Sequence, residues 1–253
     1  MSHIYIMNDQ EEQWLLAEKY HGVKSPAFFA DCKQLALGEP LGYLIGYVPF
    51  INCRIWLDSR PLIPRPEAEF WVNEALAEIV SVAPAAPRVL DLCAGSGCIG
   101  IAIASAIESA LVDFSEIDAK HVPTIKKNLE LNKINSSRYT IAQTNLFDAF
   151  AGTQYDFILA NPPYIDADLN RADDSVVNFE PHLALFGGRA GIEIIDQLIS
   201  RAPEFLKPSG QLWLEHEPEQ VNYIQTLAAN TGFSITNHSD QYNVARYSKL
   251  VLK

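Results

Sequence analysis

The 253-residue chain is short of three things, and each shortage excludes a class of protein. Basic residues are few: 19 Lys and Arg stand against 31 Asp and Glu, leaving a net charge of -12. That balance opposes stable binding to nucleic-acid phosphate unless the cations gather on one face, and it favours a protein or a small molecule as partner. Cysteine is scarce as well. The four, at 32, 53, 93 and 98, form no Cys-x-x-Cys pair and have no histidine at ligand spacing. No metal site is expected, and the thiols read as reduced and mostly buried. Long apolar runs are missing too: nothing approaches the roughly 18 continuous apolar residues that a spanning helix needs, and Met1 to Asp9 has no basic stretch followed by an apolar core. The chain is therefore expected in the cytoplasm with no membrane partner. Internal repeats and low-complexity tracts are also lacking.

What is present belongs to an ordinary globular protein, 48% hydrophobic and 20% charged, long enough for one main domain and a small appendage. Trp14, Leu15 and Ala17, then Phe28, Phe29, Cys32, Leu35 and Ala36, are spaced as two short amphipathic helices broken around Gly22 to Pro26. From Pro40 to Leu57 the pattern changes. Tyr43, Ile45, Tyr47, Phe50, Cys53, Ile55 and Leu57 are β-formers interrupted by Gly42, Gly46 and Pro49, which predicts a hairpin joining two domains. The segment Pro61-Leu62-Ile63-Pro64-Arg65-Pro66-Glu67 stops that hairpin and starts a helix near Glu67 that runs to about Val82.

After Pro84-Ala85-Ala86-Pro87 strands and helices alternate. Strands are predicted at 88–92, up to about Ser115, at 139–143, 155–160, 210–215, 233–239 and 246–252; helices run through Ala106, from Ala119 to Asn132, at 191–205 and at 217–230. Such alternation predicts an α/β sheet covered on both faces, and the short last loop predicts a terminal antiparallel hairpin. The stretch from Ile165 to Ala190, rich in Asp, Asn and Gly, is too long for a plain connection and reads as a lid or substrate loop.

Two turns carry chemistry. Asn161-Pro162-Pro163-Tyr164 directly follows the apolar run Phe157-Ile158-Leu159-Ala160, and a glycine-rich turn spans Cys93 to Gly97. Together they predict methyl transfer to a planar amide or amine nitrogen. An amide nitrogen delocalises its lone pair into the carbonyl and attacks poorly unless its basicity is restored. The Asn161 side-chain oxygen and the Pro162 carbonyl are placed to accept one N–H each, favouring a pyramidal nitrogen that carries charge in the transition state. Pro162 and Pro163 have no N–H and restrict φ, which stiffens the loop, and Tyr164 covers a flat substrate group. Taken alone, the same tetrapeptide is also an ordinary turn after a strand.

The turn Asp91-Leu92-Cys93-Ala94-Gly95-Ser96-Gly97 does not fit the dinucleotide spacing. Asp91 ahead of the glycines suits an ammonium better than a pyrophosphate, as in the amino-acid part of S-adenosylmethionine, or else caps the turn. Glu116, about 20 residues on at the end of the second strand, suits two ribose hydroxyls; a helix N-terminal acid is the other account of it, and Asp118 ranks below. Asn145 and Leu146 follow the third strand, where adenine lies in a doubly wound sheet, with Leu146 as its apolar face, unless they simply form a loop. Glu215-His216-Glu217 falls between a strand and a helix, where polar residues are expected for structural reasons. No general base is nominated, because the methylated nitrogen becomes strongly acidic.

Pro64-Arg65-Pro66-Glu67, the Asp91–Gly97 turn, Asn161-Pro162-Pro163-Tyr164-Ile165 and Phe179-Glu180-Pro181, in that order and with Gly38-Glu39-Pro40 before them, resemble the peptide-chain release factor glutamine N5-methyltransferases, the HemK/PrmC family. The likeness runs from about residue 34 to the C-terminus. It implies a class I S-adenosylmethionine-dependent methyltransferase with a Rossmann-like seven-stranded sheet, divided as a small helical region (1–39), a hairpin linker (40–60) and a methyltransferase domain (61–253). It implies transfer of methyl from S-adenosylmethionine, leaving S-adenosylhomocysteine, to the glutamine of the Gly-Gly-Gln motif in release factors. Cofactor contacts are implied at Cys93, Ala94, Gly95, Ser96, Gly97, Glu116, Leu146 and Asn161, and glutamine binding at Asn161, Pro162, Pro163 and Tyr164.

The chain departs from the family pattern in three places. Cys93 stands where glycine is common, Asn145 replaces a frequent acid, and the helical region before Gly38 is short. An amino-methyltransferase acting on adenine or cytosine in nucleic acid is the rival account of the same loop, opposed by the acidic charge; a non-catalytic cofactor-binding protein is another, opposed by the intact site. Arg65 is expected to hold the hairpin against the loop or to touch cofactor, and Glu180 to order the lid.

Overall fold

The computed structural model describes residues 9–169 and 173–253. Residues 1–8 of the expected helical region and 170–172 of the long Ile165–Ala190 stretch lie outside the described residues.

The chain begins with α1 (Asp9–Glu18) and α2 (Pro26–Ala36). Ser25 caps α2 by accepting the Phe28 N–H at 3.2 Å, and Pro26 fills the first helical position, where no N–H is needed. The next segment differs from its β-rich sequence: Leu41–Ile45 forms a short helix, α3. Leu44 is buried there with Leu15, Phe28 and Leu35 in a separate small core, and Gly46 ends the helix at φ 95. Burial against α1 and α2 outweighs the strand preference of Tyr43 and Ile45. The hairpin is correspondingly shorter, β1 (Tyr47–Phe50) against β2 (Cys53–Trp56).

After α4 (Pro66–Val82) come β3 (Arg88–Leu92), α5 (Cys98–Ala106), β4 (Leu111–Glu116), α6 (Val122–Leu131), β5 (Tyr139–Gln143) and β6 (Tyr155–Ala160). Then follow α7 (Asp174–Phe179), α8 (His182–Leu185), α9 (Glu193–Phe205), β7 (Leu206–Glu215), α10 (Val221–Asn230), β8 (Phe233–Ser239) and β9 (Ala245–Leu252). Seven strands form one sheet in the order β5-β4-β3-β6-β7-β9-β8, parallel except for β9, which runs antiparallel to both of its neighbours. One core packs α4, α5, α6 and the hairpin on one face; the other packs α9 and α10 on the opposite face. Coverage of both faces explains the nearly continuous apolar strands.

The order reverses between β3 and β6, and in sheets of this kind ligands bind beyond the carboxyl ends of the strands at that reversal. Leu92 pairs with Ala160 in the register of these two strands. The glycine turn and the Asn161 loop therefore leave the sheet side by side. The long stretch after the loop is folded rather than open: it holds α7 and α8, and Ile165 bridges Phe186.

Candidate active site

The glycine turn leaves β3 through backbone conformations that few residues adopt. Cys93 has φ 62, Gly95 φ 56 and Gly97 φ 80. At Cys93 the left-handed region is occupied by a residue with a side chain, which the sequence marked as a departure from glycine. Cys93 and Gly95 face a cavity beyond the strand ends, whereas Ala94, Ser96 and Gly97 do not line it. They build the turn: Ala94 N–H reaches the Ser115 carbonyl at 3.0 Å, Gly97 N–H the Ala94 carbonyl at 2.7 Å, and the Ser96 carbonyl accepts from Asn128 at 3.0 Å.

Of the two readings of Asp91, the geometry fits the cap. The residue is fully buried, does not line the cavity, and its Oδ2 accepts the Gly100 N–H of α5 at 2.8 Å while Oδ1 has no partner. The carboxyl serves the helix N-terminus, whose exposed N–H groups and dipole favour an acceptor there. Burial nonetheless pushes its pKa up to about 8.

Glu116 ends β4 and lines the cavity. Its Oε2 accepts the Gly95 N–H and its Oε1 the Asp118 N–H, both at 2.7 Å. Each carboxylate oxygen keeps acceptor capacity toward the cavity. Burial raises its pKa, and the N–H bonds from Asp118 and Gly95 oppose that rise. Glu116 pairs with Gln143 at the end of β5, which brings Thr144, Asn145 and Leu146 to the same wall. Asn145 is exposed; Leu146 is buried, at φ 46, with its carbonyl held by the Ser115 hydroxyl.

Asn161 and Pro163 line the far wall of this cavity. Asn161 also lines an adjoining cleft with Pro162, Tyr164, Leu62 and Arg65, so it stands in the partition between the two spaces. Among the described residues neither the Asn161 side chain nor the Pro162 carbonyl makes a hydrogen bond. Tyr164 is anchored: its hydroxyl donates to Glu215 Oε1 at 2.8 Å, and Glu215 Oε2 accepts from Trp71 Nε1 at 2.6 Å. Burial, then the adjacent Glu215 charge, drives the Tyr164 pKa far up, and burial raises that of Glu215. Glu215 and His216 are thus structural, His216 being buried against the Ser248 hydroxyl at 2.7 Å, whereas Glu217 lines the cleft and pairs with Arg246.

Arg65 and Glu180 meet. Glu180 is buried, takes the Arg65 guanidinium on Oε1 and the Ile63 N–H on Oε2 at 2.9 Å, and so ties the proline-rich segment to the residues ahead of α8. Pro181, Leu183, Ala184 and Phe186 follow as a cover over the cavity, opposite Leu62.

The structure brings Cys93, Gly95, Glu116, Asn145, Leu146 and Asn161 to one cavity and Asn161, Pro162 and Tyr164 to one cleft, with Pro163 on the cavity side. The sequence pattern missed His121, which lines the cavity, is buried, bonds Ser59 Oγ through Nδ1 at 2.8 Å, and is held neutral by burial with its pKa down at about 4. Its position just ahead of a helix five residues after Glu116 was the available signal.

The model of the methyltransferase small domain matches residues 73–179. Over 198 residues the chain is 37% identical to the release factor glutamine methyltransferase of Yersinia pestis, covering 78% of this chain and 69% of that protein. To the release factor glutamine methyltransferase of Bifidobacterium longum it is 31% identical over 245 residues, covering 90% and 81%. Among solved structures, a ribosomal protein L11 methylase from Lactobacillus delbrueckii subsp. bulgaricus superposes with a TM-score of 0.51 at 22% identity, over 75% of this chain and 81% of that one. The hMettl16 catalytic domain in complex with an RNA hairpin of the MAT2A 3′UTR gives 0.59 at 17%, over 79% and 75%. At these identities the structures establish the fold, that of the class I S-adenosylmethionine-dependent methyltransferases.

Proposed function

The chain belongs to the release factor glutamine methyltransferases, and from that premise we propose that it methylates the side-chain amide nitrogen (N5) of the glutamine in the Gly-Gly-Gln motif of peptide-chain release factors. The carrying observation is the place of Asn161, shared between the cavity that contains Glu116 and the cleft that contains Pro162 and Tyr164.

The residues fit S-adenosylmethionine on one side of that partition. Glu116 offers the free acceptor capacity that ribose hydroxyls require, Leu146 gives an apolar wall, and the turn at Cys93 and Gly95 brings backbone to the cavity edge, with open space where a Gly95 Cβ would lie. The cofactor supplies an electrophilic methyl group on a sulfonium. On the other side the Asn161 oxygen and the Pro162 carbonyl, both without protein partners among the described residues, accept the two N–H bonds of the glutamine amide. Acceptors fixed in place cost no reorganisation as positive charge develops on the nitrogen. Tyr164 bounds the cleft with its hydroxyl already committed to Glu215, so neither group takes the proton; water takes it from the acidic alkylated amide. Catalysis is chiefly alignment and electrostatics.

Asn161→Ala tests the reading. Turnover is expected to fall by roughly 100-fold or more, the scale set by loss of one oriented polar group in a transition-state site, while S-adenosylmethionine binding by calorimetry stays within a few fold. Turnover at the wild-type rate contradicts it.

A further inference from the structure

The Asn161–Tyr164 loop has almost no backbone hydrogen bonding of its own. Pro162 and Pro163 carry no N–H, and the Pro162 carbonyl is free among the described residues. The loop is located from its C-terminal end instead. The Tyr164 carbonyl accepts Gln220 Nε2 at 2.8 Å, and the same nitrogen lies 3.3 Å from the Ala190 carbonyl and 3.2 Å from that of Gly191. Gln220 Oε1 accepts the Glu217 N–H at 3.0 Å, closing a capping box on the turn Pro218–Gln220. One buried carboxamide therefore joins three elements: the end of the reactive loop, the turn Arg189–Gly191, and the turn that follows β7.

The surroundings are shaped for this approach. Gly191 has φ 67, and a Cβ there would meet the Tyr164 carbonyl oxygen itself and lie 2.6 Å from Gln220 Nε2. Ala190 holds φ 54 beside it. The Tyr164 side chain is gripped separately by Glu215, five residues before Gln220, so Tyr164 is fixed at its carbonyl and at its hydroxyl by the same short stretch of chain.

We propose that Gln220 is a positioning residue for methyl transfer: its carboxamide sets the Asn161 oxygen and the Pro162 carbonyl by anchoring the Tyr164 carbonyl. The proposal rests on the amide-methylation reading above. A misplacement of about 1 Å at a reacting group is enough for a 100-fold loss of rate. Gln220 lines neither the cavity nor the cleft, so its removal is expected to act on kcat and to spare cofactor affinity.

The test uses Gln220→Met and Gln220→Glu in the full chain, with purified release factor and labelled S-adenosylmethionine. Gln220→Met is expected to lower kcat roughly 30- to 100-fold, with KM for the factor and the cofactor dissociation constant each within about threefold of wild type. Gln220→Glu places an acceptor-only carboxylate against three carbonyls and in the capping box of Glu217, whose own carboxylate pairs with Arg246, but its protonated form donates again. Its activity relative to wild type is therefore expected to climb as pH is lowered from 8 to 6. A Gln220→Met enzyme with wild-type kcat and only a lowered melting temperature overturns the proposal. So does a Gln220→Glu to wild-type ratio that is flat with pH, which keeps the idea testable even where Gln220→Met fails to fold. Wild-type chain that leaves the factor unlabelled overturns the underlying reading instead, so the two failures are distinct.

Discussion

Asp91 lies wholly out of water with one oxygen bonded to Gly100 and the other unpartnered, and its pKa stands at about 8. The folded chain keeps a proton that the unfolded chain sheds near pH 4, so folding is penalised increasingly as pH rises from about 4 to about 8. An asparagine keeps the acceptor for Gly100 and never ionises. Asp91→Asn is expected to be more stable than wild type by an amount that grows across that window, on the order of 5 kcal/mol at pH 8. Urea unfolding at pH 5 and pH 8 without cofactor checks it; an equal difference at both values contradicts the assignment. The role of Asp91 was only half legible in the sequence. Its place before the glycines was plain, but a helix cap and an ammonium partner share that place, and only burial separates them. The placement of Glu116 and Asn161 at the cavity was readable because the first ends and the second follows an apolar strand, at the side where open sheets bind ligands. Gln220 was not, since the carbonyls it joins lie 29 to 56 residues away in the chain.

Helix α5 packs on the sheet through Gly100. A Cβ there would enter the Phe114 ring and lie 3.0 Å from Asp91 Cβ, so the lack of a side chain sets the helix-to-strand distance. Gly100→Ala is expected to cost about 1–3 kcal/mol in overpacking, read as a lower denaturant midpoint; an unchanged midpoint shows that the helix yields freely. The cover over the cavity depends on another element contact, the Arg65–Glu180 pair, in which Glu180 is buried while Arg65 is a third exposed. Removing one partner of a fully buried pair costs roughly 3–5 kcal/mol, and exposure of Arg65 brings this to about 1–3. Glu180→Gln is expected to loosen the cover and weaken S-adenosylmethionine binding about tenfold; calorimetry with unaltered affinity contradicts that link. The elements themselves were mostly readable, because strands buried on both faces and helices with one apolar stripe leave distinct patterns. Where the pattern failed, tertiary packing decided: Leu41–Ile45 turns helical to bury Leu44, and the stretch that holds α7 and α8 is tied down by the Ile165–Phe186 bridge and by Glu180 on Arg65 and Ile63.

At the scale of the whole molecule, two apolar cores hold a seven-stranded sheet whose reversal point carries both the cavity lined by Glu116 and the Asn161–Tyr164 loop, and a third small core joins α1, α2 and α3. Among the described residues no helix is long and apolar enough to cross a membrane. A net charge of -12 opposes phosphate-rich partners, which agrees with a protein carrying the accepting nitrogen. The most direct test is transfer of a labelled methyl group from S-adenosylmethionine to purified release factor, run beside a factor whose Gly-Gly-Gln glutamine is replaced and beside DNA and RNA. Label on the intact factor alone is the predicted result; label that persists after the glutamine is replaced, or that appears on nucleic acid instead, contradicts the account.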